Sequence, residues 1–255
     1  MKPLHRDRRQ KRFWLGGLLL LFIALGGLGG RWLAYERQPL SQAVAALESD
    51  AAVSVVQTPW LTFTPLEGLV TTGFIFYPGG RISYLGYADL LRALAAEGYL
   101  VVSPRMPLNI AALKPRAADA VIAAHPEIQH WVIGGHSVGG TMAAQYTSQH
   151  SDEIVGLVIW ASYPADSADL STLDIPITLI YGSLDPAANA DQVLPRRRFF
   201  PEEARFVRIV GGDHHQFGSY IVQPDERHAT ISVAAQHQQI LAATLDVLQR
   251  AEEGR

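Results

Sequence analysis

Trp131-Val132-Ile133-Gly134-Gly135-His136-Ser137-Val138-Gly139-Gly140 is a short apolar run that delivers a serine inside G-x-S-x-G and then opens into helix-forming sequence. Such a run sets a serine on a sharp strand-to-helix turn. Glycines flank it because the turn leaves no room for side chains, so the serine Oγ projects above the sheet instead of packing beneath it. Ser137 is therefore the candidate nucleophile. Three fixed positions are a short pattern in a glycine-rich chain, so the motif needs partners elsewhere.

Partners occur downstream, each just after an apolar run. Pro176-Ile177-Thr178-Leu179-Ile180-Tyr181 reads as a strand and Gly182-Ser183-Leu184-Asp185-Pro186 as the turn that ends it, which makes Asp185 the candidate acid and Asp191 its substitute. Arg205-Phe206-Val207-Arg208-Ile209-Val210 reads as a further strand, and after Gly211-Gly212 come Asp213-His214-His215. His214 or His215 is the candidate base. A serine hydroxyl is a poor nucleophile at neutral pH, so an imidazole must take its proton and a carboxylate must hold that imidazole in the right tautomer. Acyl transfer also needs donors for an oxyanion. Thr72 to Tyr77 reads as an earlier strand followed by Pro78-Gly79-Gly80-Arg81, and the backbone N–H groups of Gly80 and Val138 are the candidate pair; Pro78, with no N–H, cannot donate.

These segments resemble the α/β-hydrolases, specifically small members without a lid whose compact topology is that of dienelactone-hydrolase-like enzymes. The resemblance rests on Phe76-Tyr77-Pro78-Gly79-Gly80, Gly98-Tyr99-Leu100-Val101-Val102, Met106-Pro107-Leu108-Asn109, Gly135 to Gly140, Tyr181-Gly182 with Asp185, and Gly211-Gly212-Asp213-His214. It spans most of residues 42–250. The order Ser, Asp, His is the one the family uses, and its glycine-glycine-polar-histidine pattern maps the base to His214, leaving His215 as a neighbour. Pro78 stands where many relatives carry His. Dienelactone hydrolases proper use a cysteine nucleophile, and this chain has no cysteine, so their substrate does not carry over.

Length and patterning agree with one catalytic-size domain. Strands are expected near 53–56, 60–64, 72–77, 99–103, 130–134, 154–160, 176–181 and 205–210. Helices are expected at Tyr87 to Glu97, Ala117 to Ala124, Thr141 to His150 and Ser232 to Arg250. Alternation of this kind predicts an α/β fold with a mostly parallel, doubly wound sheet, its first two strands pairing as an antiparallel hairpin. Many relatives insert a helical cap after the strand that follows the nucleophile helix. Only Ala161 to Asp174 is free there, so no cap domain fits and the pocket should be shallow.

The N-terminus carries a different signal. Residues 1–12 hold Lys2, Arg6, Arg8, Arg9, Lys11 and Arg12 against Asp7, and Phe13 to Gly30 runs eighteen residues without a charge. Trp14 and Trp32 bracket that run and would lie about 27 Å apart at helical rise, near the hydrocarbon thickness. The expectation is a basic cytoplasmic tail (1–12), a transmembrane signal-anchor helix (13–34), a linker (35–50) and an extracytoplasmic α/β-hydrolase domain (51–252). A cleaved signal peptide is the alternative, because small-residue triplets such as Ala24-Leu25-Gly26 suit a peptidase, and the domain is exported on either reading. Gly26 and Gly30 form G-x-x-x-G, which leaves helix dimerisation as a third reading.

Charge follows the same division. The tail holds six of 21 basic residues and one of 24 acidic ones, so the remainder is acidic, which argues against nucleic acid as a partner. The histidines show no H-x-x-x-H spacing and no G-x-G-x-x-G opens the first strand-helix unit, so neither metal nor dinucleotide cofactor is expected. Arg81, Arg105 and Asn109 follow strand ends on the ligand side of such sheets and are candidates for holding a substrate, each with a structural role as the alternative. The expected activity is a membrane-tethered serine hydrolase cleaving a small-molecule carboxylic ester or similar acyl bond through Ser137, His214 and Asp185. Thioesterase, lactonase, acyltransferase or peptidase chemistry on the same residues, and a fold kept for binding alone, are the alternatives.

Overall fold

Successive residues of the central strands face two different cores, and that alternation explains why the sheet is covered on both sides. The computed structural model describes residues 36–254, so the N-terminal span and tail lie outside the described residues. Among the described residues there are eight strands: β1 (Val53–Val56), β2 (Leu61–Pro65), β3 (Thr72–Tyr77), β4 (Leu100–Ser103), β5 (His130–His136), β6 (Ile154–Trp160), β7 (Ile177–Gly182) and β8 (Arg205–Ile209). They form one sheet in the order β1-β2-β4-β3-β5-β6-β7-β8, with β1 and β2 antiparallel and the rest parallel. The crossing of β3 and β4 in this order leaves the loop after β3 beside the end of β5.

Helices α1 (Ser41–Ala45), α2 (Ala88–Ala96), α3 (Ala117–Ala124), α4 (Val138–Gln149), α5 (Ala190–Val193) and α6 (Val233–Glu253) complete the fold. On one face Phe74, Phe76, Val132, Val158 and Trp160 meet Leu90, Leu91 and Leu94 of α2 and Ile240, Val247 and Leu248 of α6. On the other face Ile75, Tyr77, Ile133, Leu157 and Ile159 meet Val121 of α3 and Ala143 and Ala144 of α4. Ser232 caps α6, its Oγ accepting from the Ala235 N–H at 3.2 Å. Trp160 Nε1 donates to Thr244 Oγ1 of that helix at 3.2 Å, which satisfies the one polar atom of a fully buried indole.

The strands expected from sequence match these within a residue or two, except that β5 continues to His136. Helix α4 starts at Val138, earlier than expected, because Gly139 and Gly140 do not break it. A Cβ on Gly139 would collide with the Tyr77 carbonyl oxygen and one on Gly140 would stand 2.7 Å from the Gly135 carbonyl, so close backbone approach sets these glycines. Between β6 and β7, residues 161–176 form no helix or strand. The segment expected as a linker is packed from residue 36 onward. Arg37 bridges to Ile82 and Pro39 to Tyr220, and Ala43 of α1 is buried. Among the described residues no helix is long and apolar enough to cross a membrane.

Candidate active site

Among the described residues, five non-glycine residues have positive φ, and each follows the C-terminal end of a parallel strand. They are Arg81 (φ 60°) after β3, Leu108 (52°) and Asn109 (53°) after β4, Ser137 (54°) after β5, and Ala161 (46°) after β6. Left-handed backbone costs a side-chain-bearing residue of order 1–3 kcal/mol, and it tends to persist where a site needs it. Here it is concentrated on the rim of the sheet where open α/β folds bind ligands.

Ser137 sits between β5 and α4 at φ 54°, ψ −127°, and its N–H donates to the Trp160 carbonyl at 2.9 Å. The tightness of the turn has a direct cause in Gly135, where a Cβ would stand 2.5 Å from the Gly139 carbonyl carbon and 2.7 Å from the Tyr77 oxygen. The serine is therefore held at the N-terminus of α4, where unpaired N–H groups and the helix dipole favour negative charge.

His214 follows β8 in the loop after Gly211 and Gly212. Its Nδ1 is 2.8 Å from Asp185 Oδ2, and the Asp185 side chain is fully buried while that of His214 is 14 % exposed. The other carboxylate oxygen, Oδ1, accepts from the N–H groups of Ala187 at 2.7 Å and Ala188 at 2.9 Å. Opposite an acceptor-only carboxylate a neutral imidazole carries its hydrogen on Nδ1, and its Nε2 then holds a lone pair. Ser137, Val138 and His214 line one cavity of about 200 Å³, with Thr141, Ser162 and Tyr163 among its walls. Asp191, the alternative acid, instead donates its N–H to the Asn189 cap of α5.

His215 takes a separate position, its Nδ1 3.4 Å from the Tyr220 hydroxyl. Burial and the neighbouring His214 lower its pKa from the ordinary value. Gly80 is adjacent to the elbow, since a Cβ on it would lie 3.1 Å from Val138 Cγ1. The three rim residues considered for substrate have other engagements. Arg81 N–H donates to the Asn109 carbonyl at 2.7 Å, Arg105 lies 5.1 Å over the Tyr84 ring, and the Asn109 side chain donates to the Glu36 carboxylate. None of the three lines the cavity shared by Ser137 and His214.

Two side chains near the cavity, Asp213 and Arg196, were not singled out from the sequence, whereas the loop beginning at Tyr163 was expected to shape specificity. Asp213 is buried and its carboxylate accepts four N–H groups: Oδ1 from His215 (3.0 Å) and Gln216 (2.9 Å), Oδ2 from His228 (2.9 Å) and Ala229 (3.1 Å). It thereby ties together two parts of the loop that carries His214, residues 215–216 and 228–229. Tyr163 joins the cavity wall, and Arg196, paired with Asp166, stacks over its ring at 5.3 Å. Nothing in the sequence around Arg196 marks it, because its approach to Tyr163 depends on two loops after different strands.

With this geometry in view, the sequence matches the alpha/beta hydrolase family over residues 73–238, and the chain belongs to that family. Two solved structures are similar in fold. One is MGS-MChE2, an alpha/beta hydrolase enzyme from the metagenome of sediments from the lagoon of Mar Chica, Morocco (TM-score 0.53, 17% identity, 65% of this chain and 90% of that chain). The other is the esterase domain of a Rhodothermus marinus protein (TM-score 0.54, 15% identity, 73% of this chain and 90% of that chain). No match was found among the curated proteins.

Proposed function

We propose that the protein is a serine hydrolase that cleaves a carboxylic ester with a small acyl group. The observation that carries this reading is the pairing of His214 with a buried, doubly hydrogen-bonded Asp185, its imidazole lining the same cavity as the strained Ser137. In the reaction Ser137 Oγ attacks the carbonyl carbon while His214 Nε2 takes its proton. Asp185 keeps Nδ1 protonated and stabilises the imidazolium, and the N–H groups of Gly80 and Val138 receive the oxyanion. His214 then protonates the leaving alcohol, and water, activated by the same nitrogen, releases the acid from the acyl-enzyme.

The cavity volume favours short acyl groups, being below the roughly 300–1,000 Å³ of pockets that enclose drug-sized ligands. The basic tail and the uncharged run of residues 13–30 support attachment to a membrane with the hydrolase domain on the extracytoplasmic side. The chain that follows this run joins the hydrolase domain at the ligand rim, through Glu36 on Asn109 and Arg37 on Glu226 at 2.5 Å.

The test is intact-mass labelling of the full chain in detergent with a fluorophosphonate, beside Ser137→Ala and His214→Ala. Stoichiometric labelling lost in both variants is expected. A folded parent that stays unlabelled overturns the hydrolase and leaves a binding protein. Fractionation of the full chain against a chain lacking residues 1–34 tests attachment, and recovery of both in the soluble fraction overturns it.

A further inference from the structure

His136 precedes the nucleophile, has no exposed surface and is not needed by the reaction as written. Its two ring nitrogens nevertheless reach two other parts of the site. Nδ1 lies 2.9 Å from the Tyr87 hydroxyl, and Nε2 lies 3.1 Å from the backbone carbonyl of His214. The Tyr87 oxygen in turn accepts the Gly79 N–H at 3.1 Å. Protons can be assigned to every link. The His214 carbonyl can only accept, so His136 Nε2 carries its hydrogen, Nδ1 must accept, and the Tyr87 hydroxyl must donate to it. The Gly79 N–H then fills the remaining side of the phenol oxygen. One directed chain runs Gly79 N–H, Tyr87 O–H, His136 Nδ1, His136 Nε2–H, His214 C=O.

We propose that Tyr87 and His136 are positioning residues that fix the loop carrying the Gly80 oxyanion donor and the main chain of the base relative to the nucleophile. The proposal rests on the serine-hydrolase reading above. Each end of the chain lies beside a working group: Gly79 precedes Gly80, and the His214 carbonyl belongs to the base itself. Its middle is bonded covalently to Ser137. The surroundings leave no slack, since a Cβ on Gly79 would stand 2.7 Å from His136 Nδ1 and 2.8 Å from the Tyr87 oxygen. Phe217 stacks on the His136 ring at 5.6 Å between centroids, inclined 12°. A neutral His136 is required, and burial holds its pKa well below the ordinary value, with His214 and His215 acting in the same direction. A chain of this kind transmits a shift at one end to the other, because buried links have no water to fall back on.

The test uses the full chain with Tyr87→Phe, His136→Gln and the double variant, measured on a short aryl ester and with a fluorophosphonate. Tyr87→Phe removes one oxygen and keeps the ring. It is expected to lower kcat and the labelling rate together by about 10- to 50-fold with KM within about twofold, less than the 10²–10³ of deleting an oxyanion donor outright. The double variant is expected to lose no more than the worse single variant, as for residues acting as one unit. A folded Tyr87→Phe protein with unchanged kcat, or losses that multiply, overturns the proposal. Selective ¹⁵N-histidine spectra of the parent give a readout free of turnover, with His136→Gln assigning the resonance. The expected spectrum is a neutral Nε2–H ring whose Nδ1 signal moves in Tyr87→Phe. An Nδ1–H tautomer or an imidazolium refutes the chain even if the protein proves not to be a hydrolase, whereas an unlabelled parent with the expected tautomer refutes only the hydrolase.

Discussion

The turn that carries Ser137 and the loop that carries His214 place their side chains by opposite means. Around Ser137 the position is set first by exclusion: Gly135 and Gly139 let three backbone segments touch, and Ser137 itself caps α4 without a side-chain hydrogen bond. Around His214 the position is set by attraction, through one carboxylate on its imidazole and another, Asp213, that gathers four N–H groups from residues 215–229. The first arrangement fails when an atom is added and the second when an oxygen is removed. Rigidity in a short segment comes from packing that admits no alternative. A loop running from Gly211 to Ser232 must instead have its backbone polar groups paired off one at a time.

The largest expected effect separates function from strain at the turn. Ser137→Gly should abolish ester cleavage, by about 10⁴-fold or more. The same change removes a Cβ from a residue at φ 54° and is expected to raise stability by about 1 kcal/mol. Parallel measurement of turnover and thermal midpoint checks both, and a destabilised variant would show that the backbone there is not strained. Gly139→Ala should do the reverse of relief, driving a methyl into the Tyr77 carbonyl at a cost of about 3 kcal/mol or more, read as loss of soluble folded protein or a lowered denaturant midpoint. In the His214 loop, Asp213→Ala strands four partly buried donors and is expected to cost about 2 kcal/mol, while Asp213→Asn, which keeps one acceptor oxygen, should cost less. Equal losses from the two Asp213 variants would assign the effect to charge rather than to the paired N–H groups.

The same contrast explains how much of the molecule was legible in sequence. Strand and helix placement was, because β6, from Ile154 to Trp160, is buried at every position and reads as an unbroken apolar run. The elbow was legible because its cause is local: glycines two apart around a serine. Asp185 and His214 were singled out through their order and their place after strands, and only the family pattern chose between His214 and His215. Asp213 carries no distinguishing signal, since an aspartate beside glycines looks the same whether it meets water or N–H groups fifteen residues away. Tyr87 gave no signal at all, as its partner lies 49 positions on in the chain. Pairing across elements depends on the sheet order, and no periodicity encodes that.

The smallest effect concerns the buried imidazole that links the two regions. His136 has a folded pKa well below 6.5, chiefly because burial disfavours the charged ring. Unfolded, the same residue takes up a proton as pH drops through about 6.5, so below that value the unfolded chain binds more protons than the folded one. Stability from this group is therefore complete above pH 6.5 and declines as pH falls, with a limiting slope of about 1.4 kcal/mol per pH unit until the folded ring itself protonates. His215, lowered by burial and by His214, adds to the decline in the same window. Urea unfolding of the parent and of His136→Gln at pH 7.5, 6.5 and 5.5 isolates the contribution. The variant is expected to be less stable at pH 7.5 yet to lose less between 7.5 and 5.5, so the gap between them narrows on acidification. A constant gap would mean that His136 binds its proton in the folded state as readily as in the unfolded one, and the directed chain from Gly79 to His214 would then have no fixed sense.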